Sequence, residues 1–172
     1  MILKLIVVGL LFITFLQDLR ERAVYILLFP LLLIGFTAIS LYSQPVSVLA
    51  GNYLLNFLFL VIQMVLLYAY FTISRGKPTV LIGTLIGWGD ILFWLVTAAL
   101  FSPANYILYF LASLVFALAF HFFISLIAEG GEPAKVPLAG NQALFLMAAL
   151  ILQLFYPALN FYSDDLLLES WL

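Results

Sequence analysis

The chain contains no cysteine and few charged residues. Lys, Arg, Asp and Glu together make up 8% of its 172 residues, against about 25% in an ordinary soluble domain. The absence of cysteine excludes disulfides, thiolate metal sites and a cysteine nucleophile. The formal net charge is −2 and no run of basic residues occurs, so nucleic acid is not an expected partner.

The residues that are present are mostly apolar. The hydrophobic fraction is 67% and the mean hydropathy is +1.26, which predicts a protein embedded in a lipid bilayer. Apolar runs alternate with short breaks, and each run is long enough for a helix, the open-chain structure that satisfies its own backbone in lipid. The predicted fold is all-α and polytopic, with six transmembrane helices at residues 2–17, 24–42, 52–73, about 80–101, 105–128 and 138–159.

The first apolar run is predicted to be a retained span. Lys4 precedes an apolar core, as in a signal peptide, but no small-residue cleavage site precedes Asp18. The six runs also leave no room for a separate soluble domain. Residues 1–172 are therefore expected to form one membrane-embedded domain.

The positions of the cations predict the orientation. Lysines and arginines occur in the first, third and fifth breaks and not in the second and fourth; they are Arg20, Arg22, Arg75, Lys77 and Lys135. Because cytoplasmic loops are enriched in Lys and Arg, the odd-numbered loops are expected in the cytoplasm and both termini outside. Lys4 is the one cation that this topology places on the outer side, and its side chain is expected to snorkel to the interface.

Two aspartates fall on the cytoplasmic side of this topology. Asp18 ends the first span, and Asp90 lies on the fourth segment, which enters from the same side. Ionisable residues within membranes are costly and functional by default. Two neighbouring carboxyl groups can share a proton, so that one takes a proton from water while the other hydrogen-bonds a scissile carbonyl. Gly87 and Gly89, which lack side chains, would let a substrate backbone approach Asp90.

The sequence resembles the type IV prepilin peptidases, a family of polytopic aspartic proteases, at three places. DLRERAVY (18–25) is similar to the family's first catalytic aspartate and the basic stretch after it, with Val24 and Tyr25 where Ile-Pro is usual. GWGD (87–90) matches the Gly-X-Gly-Asp motif, with Leu92 where the family often has lysine. KVPLAGNQALFL (135–146) resembles the segment that opens the last span, through Pro137 and Gly140.

This resemblance implies a function and a set of site residues. Asp18 and Asp90 would be catalytic, and Gly87, Gly89, Pro137 and Gly140 would support the motifs or bind substrate. The implied activity is that of a membrane aspartic endopeptidase, which cleaves the leader peptide of type IV pilin-like precursors on the cytoplasmic side of the cytoplasmic membrane. No cofactor is expected.

Other polar residues within the spans receive structural interpretations. His121 is the one histidine, so it predicts no metal site. Interhelical hydrogen bonds are expected from four amides, any of which could orient an aspartate: Asn56, Gln63, Asn141 and Gln142.

Two functions other than a protease remain open from the sequence. A proton-coupled transporter or channel subunit could use Asp90 as its carrier site, although the outer loops hold no ionisable residue apart from the acidic tail. A catalytically inactive assembly protein of the same fold would bind the precursor without cutting it.

The predicted spans also leave a geometric difficulty. If the fourth helix begins near Val80, Asp90 lies about 15 Å below the cytoplasmic surface, at about 1.5 Å per residue, and does not meet Asp18. Either the first helix continues past Asp18, or residues 78–88 form a broken or re-entrant segment and the helix begins near Gly89. Non-helical backbone at that depth needs surrounding protein or water.

Overall fold

The computed structural model describes residues 1–127, 137–156 and 159–164. These residues contain six helices, α1 (Ile2–Glu21), α2 (Leu28–Leu41), α3 (Val46–Arg75), α4 (Trp88–Thr97), α5 (Pro103–Ile127) and α6 (Leu138–Phe155). They contain no β-strand, only an isolated bridge between Ile82 and Ile86. The all-helical fold class is therefore confirmed. The predicted loop around Lys135 and the acidic tail beyond residue 164 lie outside the described residues.

Four of the six helices, α1, α3, α5 and α6, are long and apolar enough to cross a membrane. This finding supports the prediction of a membrane protein. Helix α2 has 14 residues and α4 has 10. At about 1.5 Å per residue these helices are about 21 and 15 Å long, shorter than a hydrocarbon core of about 30 Å. Six complete spans are therefore not confirmed, and the expected fourth helix over residues 80–101 is wrong.

The fourth segment contains a long non-helical stretch because glycine and proline interrupt it. Helix α3 ends at Gly76, which has a φ of 64°, and Pro78 follows. Gly83, with a φ of 83°, forms a turn in which its N–H donates to Ile86 O at 2.8 Å. Helix α4 begins only at Trp88, after the N-cap residue Gly87. The geometric difficulty is thus resolved by a broken segment, and α1 also continues past Asp18.

Helix α4 lies inside the bundle, where it packs against α2 and α6. Four of its ten residues are buried: Phe93, Trp94, Val96 and Thr97. Helix α1 packs along α6 and α2, whereas α5 packs along α6 and α3. Helix α3 is peripheral, because only Leu49, Asn56 and Leu60 are buried among its 30 residues. Most of its remaining apolar side chains are exposed, as expected for a surface in contact with lipid, whereas Tyr53, Phe59, Met64 and Leu67 are partly buried against the core.

The C-terminal end of α4 is satisfied by side chains of its neighbours. Carbonyl groups at a helix end lack intrahelical partners, and leaving them unpaired inside a membrane protein is costly. Asn56 Nδ2 donates to Ala98 O and Phe101 O, both at 2.9 Å, Ser40 Oγ to Ala99 O at 2.9 Å, and Tyr106 OH to Trp94 O at 2.8 Å. These bonds let a ten-residue helix end within the protein.

Lys4 has a protein partner at the opposite end of the bundle from Asp18. Its Nζ donates to Gln153 Oε1 at 2.9 Å, joining the start of α1 to the end of α6. Gln153 is buried, and its Nε2 donates to Leu159 O at 2.6 Å. The sequence predicted that the Lys4 side chain extends to the membrane interface; in the structure it binds a side chain of α6.

Candidate active site

Asp18 lies in the last turn of α1 and is 7% exposed. The helix continues to Glu21, so Asp18 is part of the helix rather than its final residue. Its Oδ2 accepts a hydrogen bond from the N–H of Gly140 at 2.6 Å. This contact joins α1 to the first turn of α6.

Asp90 lies in the first turn of α4 and binds two backbone N–H groups. Its Oδ2 accepts a hydrogen bond from Gly87 N–H at 3.1 Å, the usual interaction of an acidic N3 residue with the N-cap backbone. Its Oδ1 accepts a hydrogen bond from Ala139 N–H at 2.9 Å. Asp90 therefore caps its own helix and joins it to α6.

The N-terminus of α6 brings the two aspartates together. Ala139 and Gly140 are consecutive, and their N–H groups belong to the first turn of a helix, where they have no intrahelical acceptor. The positive end of the helix dipole also favours negative charge at this point. Pro137, the N-cap residue, has no N–H of its own, and its carbonyl accepts from Asn141 N–H at 3.1 Å. One helix end thus holds carboxyl groups from α1 and α4.

Glycine is required where α6 meets α1. A Cβ atom at position 140 would lie 2.9 Å from Asp18 Cβ, 3.0 Å from Asp18 Oδ2 and 3.3 Å from Phe15 O. At Gly87 a Cβ would lie 3.0 Å from Asp90 Oδ2. At Gly89 the nearest atom, Phe29 Cζ, is 4.0 Å away. Close packing therefore explains Gly140 and Gly87, whereas at Gly89 there is space for a side chain.

A cavity of about 800 Å³ opens beside the two aspartates. Both line it, together with Gly87, Gly89 and Pro137. Much of the remaining wall is apolar and includes Leu92, Leu114, Leu118 and Leu138. Binding cavities for small ligands are about 300–1,000 Å³ and largely apolar with a few placed polar groups, so this one has the size and lining of a ligand-binding cavity.

The two carboxyl groups lie close together, because they bind the N–H groups of consecutive residues, Ala139 and Gly140. Two like charges held close together oppose each other, so a pair of this kind tends to hold one proton between its members. The arrangement can therefore supply one acid and one base to the same point in the cavity. In the described part of the chain, no group of three or more His, Asp and Glu residues could hold a metal ion.

A buried polar network fixes α4 to α6 and α5 close to the aspartates. Trp94 Nε1 donates to Gln142 Oε1 at 2.7 Å, and Gln142 Nε2 donates to Ser113 Oγ at 3.1 Å. Gln142 is fully buried and lies two residues after Gly140. The network therefore holds the helix that carries Asp90 against the helix end that binds it.

The four amides expected to bridge helices have different outcomes. Asn56 and Gln142 do so, which confirms the prediction for these two residues. Asn141 is buried, but neither polar atom of its side chain has a hydrogen-bond partner in the described structure, so the prediction is wrong there. The structure gives no such bond for Gln63 within the described residues.

The structure brings together most of the residues chosen from the sequence. Asp18, Asp90, Gly87, Pro137 and Gly140 meet at one helix end, and Gly89 lies on the wall of the same cavity. Sequence reasoning missed Ala139, because its contribution is a backbone N–H that its side chain does not reveal. The N-cap position of Pro137 was the available signal, since free N–H groups follow a helix start.

The candidate site is defined by this geometry. Comparisons of the chain with protein-family models, with curated proteins and with solved structures gave no match.

Proposed function

We propose that the chain is a membrane aspartic endopeptidase that cleaves the leader peptide of type IV pilin-like precursors on the cytoplasmic side of the cytoplasmic membrane. One observation carries the proposal: Asp18 and Asp90 accept hydrogen bonds from adjacent backbone N–H groups, at 2.6 and 2.9 Å, beside a cavity of about 800 Å³. The choice of precursor rests on the resemblance of the three sequence motifs.

The proposed reaction uses the two carboxyl groups as one unit. The ionised member takes a proton from a water molecule, whose oxygen forms a bond to the scissile carbonyl carbon. The protonated member donates its proton to the carbonyl oxygen, which gives a neutral tetrahedral intermediate. As the C–N bond breaks, the amine takes up the proton from the first carboxyl group. The second carboxyl group takes a proton back from a hydroxyl group of the intermediate, whose C=O bond forms again. The pair ends with the single proton it had at the start.

The proposed topology has all six helices within the bilayer and both termini outside. Helix α4 would reach only part of the way across, because its ten residues are about 15 Å long. The basic residues that flank α1 and α3, Arg20, Arg22, Arg75 and Lys77, would then lie with the aspartates at the cytoplasmic side. Water needed for hydrolysis would enter through the cavity.

The test is a cleavage assay with purified protein and a pilin-like precursor. The wild type is expected to release a leader-sized fragment, and Asp18→Asn and Asp90→Asn are expected to release none. Asp164→Asn is the matched control, because it makes the same chemical change in the tail, where Asp164 Oδ1 accepts from Ser102 Oγ at 2.5 Å. A wild type that binds the precursor without cutting it would favour an assembly protein instead. Proton uptake by liposomes that contain the protein would favour a transporter.

A further inference from the structure

Arg22 is a charged residue on the wall of the candidate active-site cavity. Among the described residues that line this cavity, the charged ones are Asp18, Asp90 and Arg22. The Arg22 side chain is exposed rather than packed into the core. The two aspartates hold the reacting groups of the proposed reaction, and that reaction has no use for a cation. The positive-inside pattern accounts for an arginine in this loop, but not for its position on the wall of the cavity.

The backbone of Arg22 is fixed relative to Asp18. Arg22 is the C-cap residue of α1, and its N–H donates to Asp18 O at 3.0 Å. The chain then folds back, because Tyr25 N–H donates to Gln17 Oε1 at 3.1 Å. These two bonds hold Arg22 one helical turn after the aspartate. The guanidinium group thus extends from a defined point beside the catalytic pair.

Arg22 has a left-handed backbone conformation, which glycine and asparagine adopt more readily than arginine. Its φ of 51° and ψ of 31° are left-handed, and it is the one non-glycine residue with positive φ in the described chain. Glycine or asparagine is preferred at this helix-end position, since left-handed backbone costs an ordinary side chain about 1–2 kcal/mol. A residue that carries this cost is expected to contribute through its side chain.

The charge of Arg22 opposes the charge of the aspartate pair. A pair that shares one proton has a net charge of −1, so on its own it would attract basic substrate residues and repel acidic ones. Arg22 offers a carboxylate a charge-assisted hydrogen bond on the wall of the cavity. The same guanidinium repels a lysine or arginine placed at that point.

We propose that Arg22 binds a carboxylate side chain of the precursor close to the scissile bond and so makes the enzyme select an acidic residue at that position. This inference rests on the proposed function, because it assigns a specificity-determining residue to the same cavity. It is separate from catalysis, because Arg22 would contact the substrate and not the bond that breaks.

The test compares precursors that differ at one position. Each residue within four of the scissile bond is replaced in turn by Glu, Gln or Lys, and both kcat/KM and the Kd of a fluorescent precursor are measured with the full chain. At one position the wild type is expected to prefer Glu to Lys by about tenfold, the scale of one hydrogen bond to a charged group. Arg22→Glu is expected to reverse that order, and rising salt to weaken it.

Arg20→Glu is the matched control, because Arg20 is an exposed arginine on the same helix that does not line the cavity. It is expected to keep the wild-type order. Cleavage without a charge preference at any position, or a preference that survives in Arg22→Glu or is lost in Arg20→Glu, overturns the inference and leaves the proposed function intact. If no precursor is cut but binding shows the order and its reversal, the inference stands and the proposed function fails. If neither cleavage nor ordered binding occurs, both fail.

Discussion

The N–H of Gly140 donates a hydrogen bond to Asp18 Oδ2 at 2.6 Å, and a Cβ atom at position 140 would lie 2.9 Å from Asp18 Cβ. The same glycine therefore binds the carboxyl group and lets α1 approach α6 closely enough for that bond to form. Position 140 accordingly offers a sharp test of how the site is assembled.

Gly140→Ala is expected to abolish cleavage and to destabilise the protein by about 1–3 kcal/mol, the usual cost of adding a methyl group where no space exists. Asp18 Cβ and Phe15 O both lie within 3.3 Å of the added atom, and Phe15 O belongs to the backbone and cannot turn away. Gly9→Ala is the control, because nothing lies within 4 Å of its Cβ and alanine favours a helix. Thermal unfolding in detergent and the cleavage assay would measure both effects. Unimpaired activity in Gly140→Ala would contradict the close approach of α1 and α6.

Asp18→Asn and Asp90→Asn are both expected to abolish the proposed cleavage, but to differ in their effect on stability. Both oxygens of Asp90 accept N–H groups, so an asparagine there places its own NH2 against one of them. At Asp18, an asparagine can direct its oxygen to Gly140 N–H. We expect Asp90→Asn to lose about 1 kcal/mol of unfolding free energy, the net contribution of one hydrogen bond, and Asp18→Asn to lose less. Equal melting temperatures would show that the two bonds to Asp90 do not both form.

The aspartate pair is expected to titrate as a unit. Cleavage needs one ionised and one protonated carboxyl group, so its rate should fall in acid, when both are protonated, and in alkali, when the shared proton is lost. The pH profile of kcat/KM should therefore be bell-shaped. Infrared absorption of the Asp90 carboxyl group should change in Asp18→Asn, because its partner no longer titrates. An Asp90 titration that is the same with and without Asp18 would show that the two carboxyl groups do not interact.

Asn56→Leu is expected to destabilise the protein and to lower its activity without touching the cavity. Leucine is similar in size to asparagine, but it cannot donate a hydrogen bond, so the carbonyls of Ala98 and Phe101 lose their donor. The expected loss is about 1–3 kcal/mol of unfolding free energy. Asn52→Leu is the control, because Asn52 lies on the same helix but donates to Gln44, a partly buried side chain. A similar loss in both variants would mean that the end of α4 gains nothing from Asn56.

The proposed topology can be tested in this cysteine-free chain. Single cysteines at Ser74 and Ser47, both exposed and at opposite ends of α3, should react with an impermeant thiol reagent from opposite sides of the membrane. Position 74 is expected to react from the cytoplasm and position 47 from outside. The reverse result would place the aspartates at the outer face of the membrane. It would contradict the proposed cleavage of pilin-like precursors on the cytoplasmic side.

Hydropathy predicted the long helices well and the fourth helix poorly. Helix α6 begins at Leu138 as expected, because Pro137 marks its start and an apolar run follows. Residues 80–87 are equally apolar, VLIGTLIG, yet they contain the turn at Gly83 and no helix. Apolar composition reports which solvent a segment prefers and not its backbone conformation, so the short α4 could not be read from composition.

The side chains of the site were predictable, and the way they are held was not. Asp18 and Asp90 are identified by their chemistry in an apolar chain, and Gly87 by its motif. The partners that fix them are the N–H groups of Ala139 and Gly140, which every non-proline residue possesses. Only the packing of α6 against α1 and α4 selects these two, and that packing depends on contacts between residues far apart in sequence.

Helix α1 packs along α6, the first of the six described helices against the last, and this pairing sets the order in which the site can be assembled during synthesis. When α1 leaves the ribosome and enters the bilayer, Asp18 has no N–H partner, because residues 139 and 140 have not yet been made. An unpartnered carboxylate in hydrocarbon is costly, so it stays at the water interface until α6 is inserted. A nascent chain that stops before α6 would carry both aspartates without the N–H groups that bind them, so the candidate site is assembled only after α6 has been made.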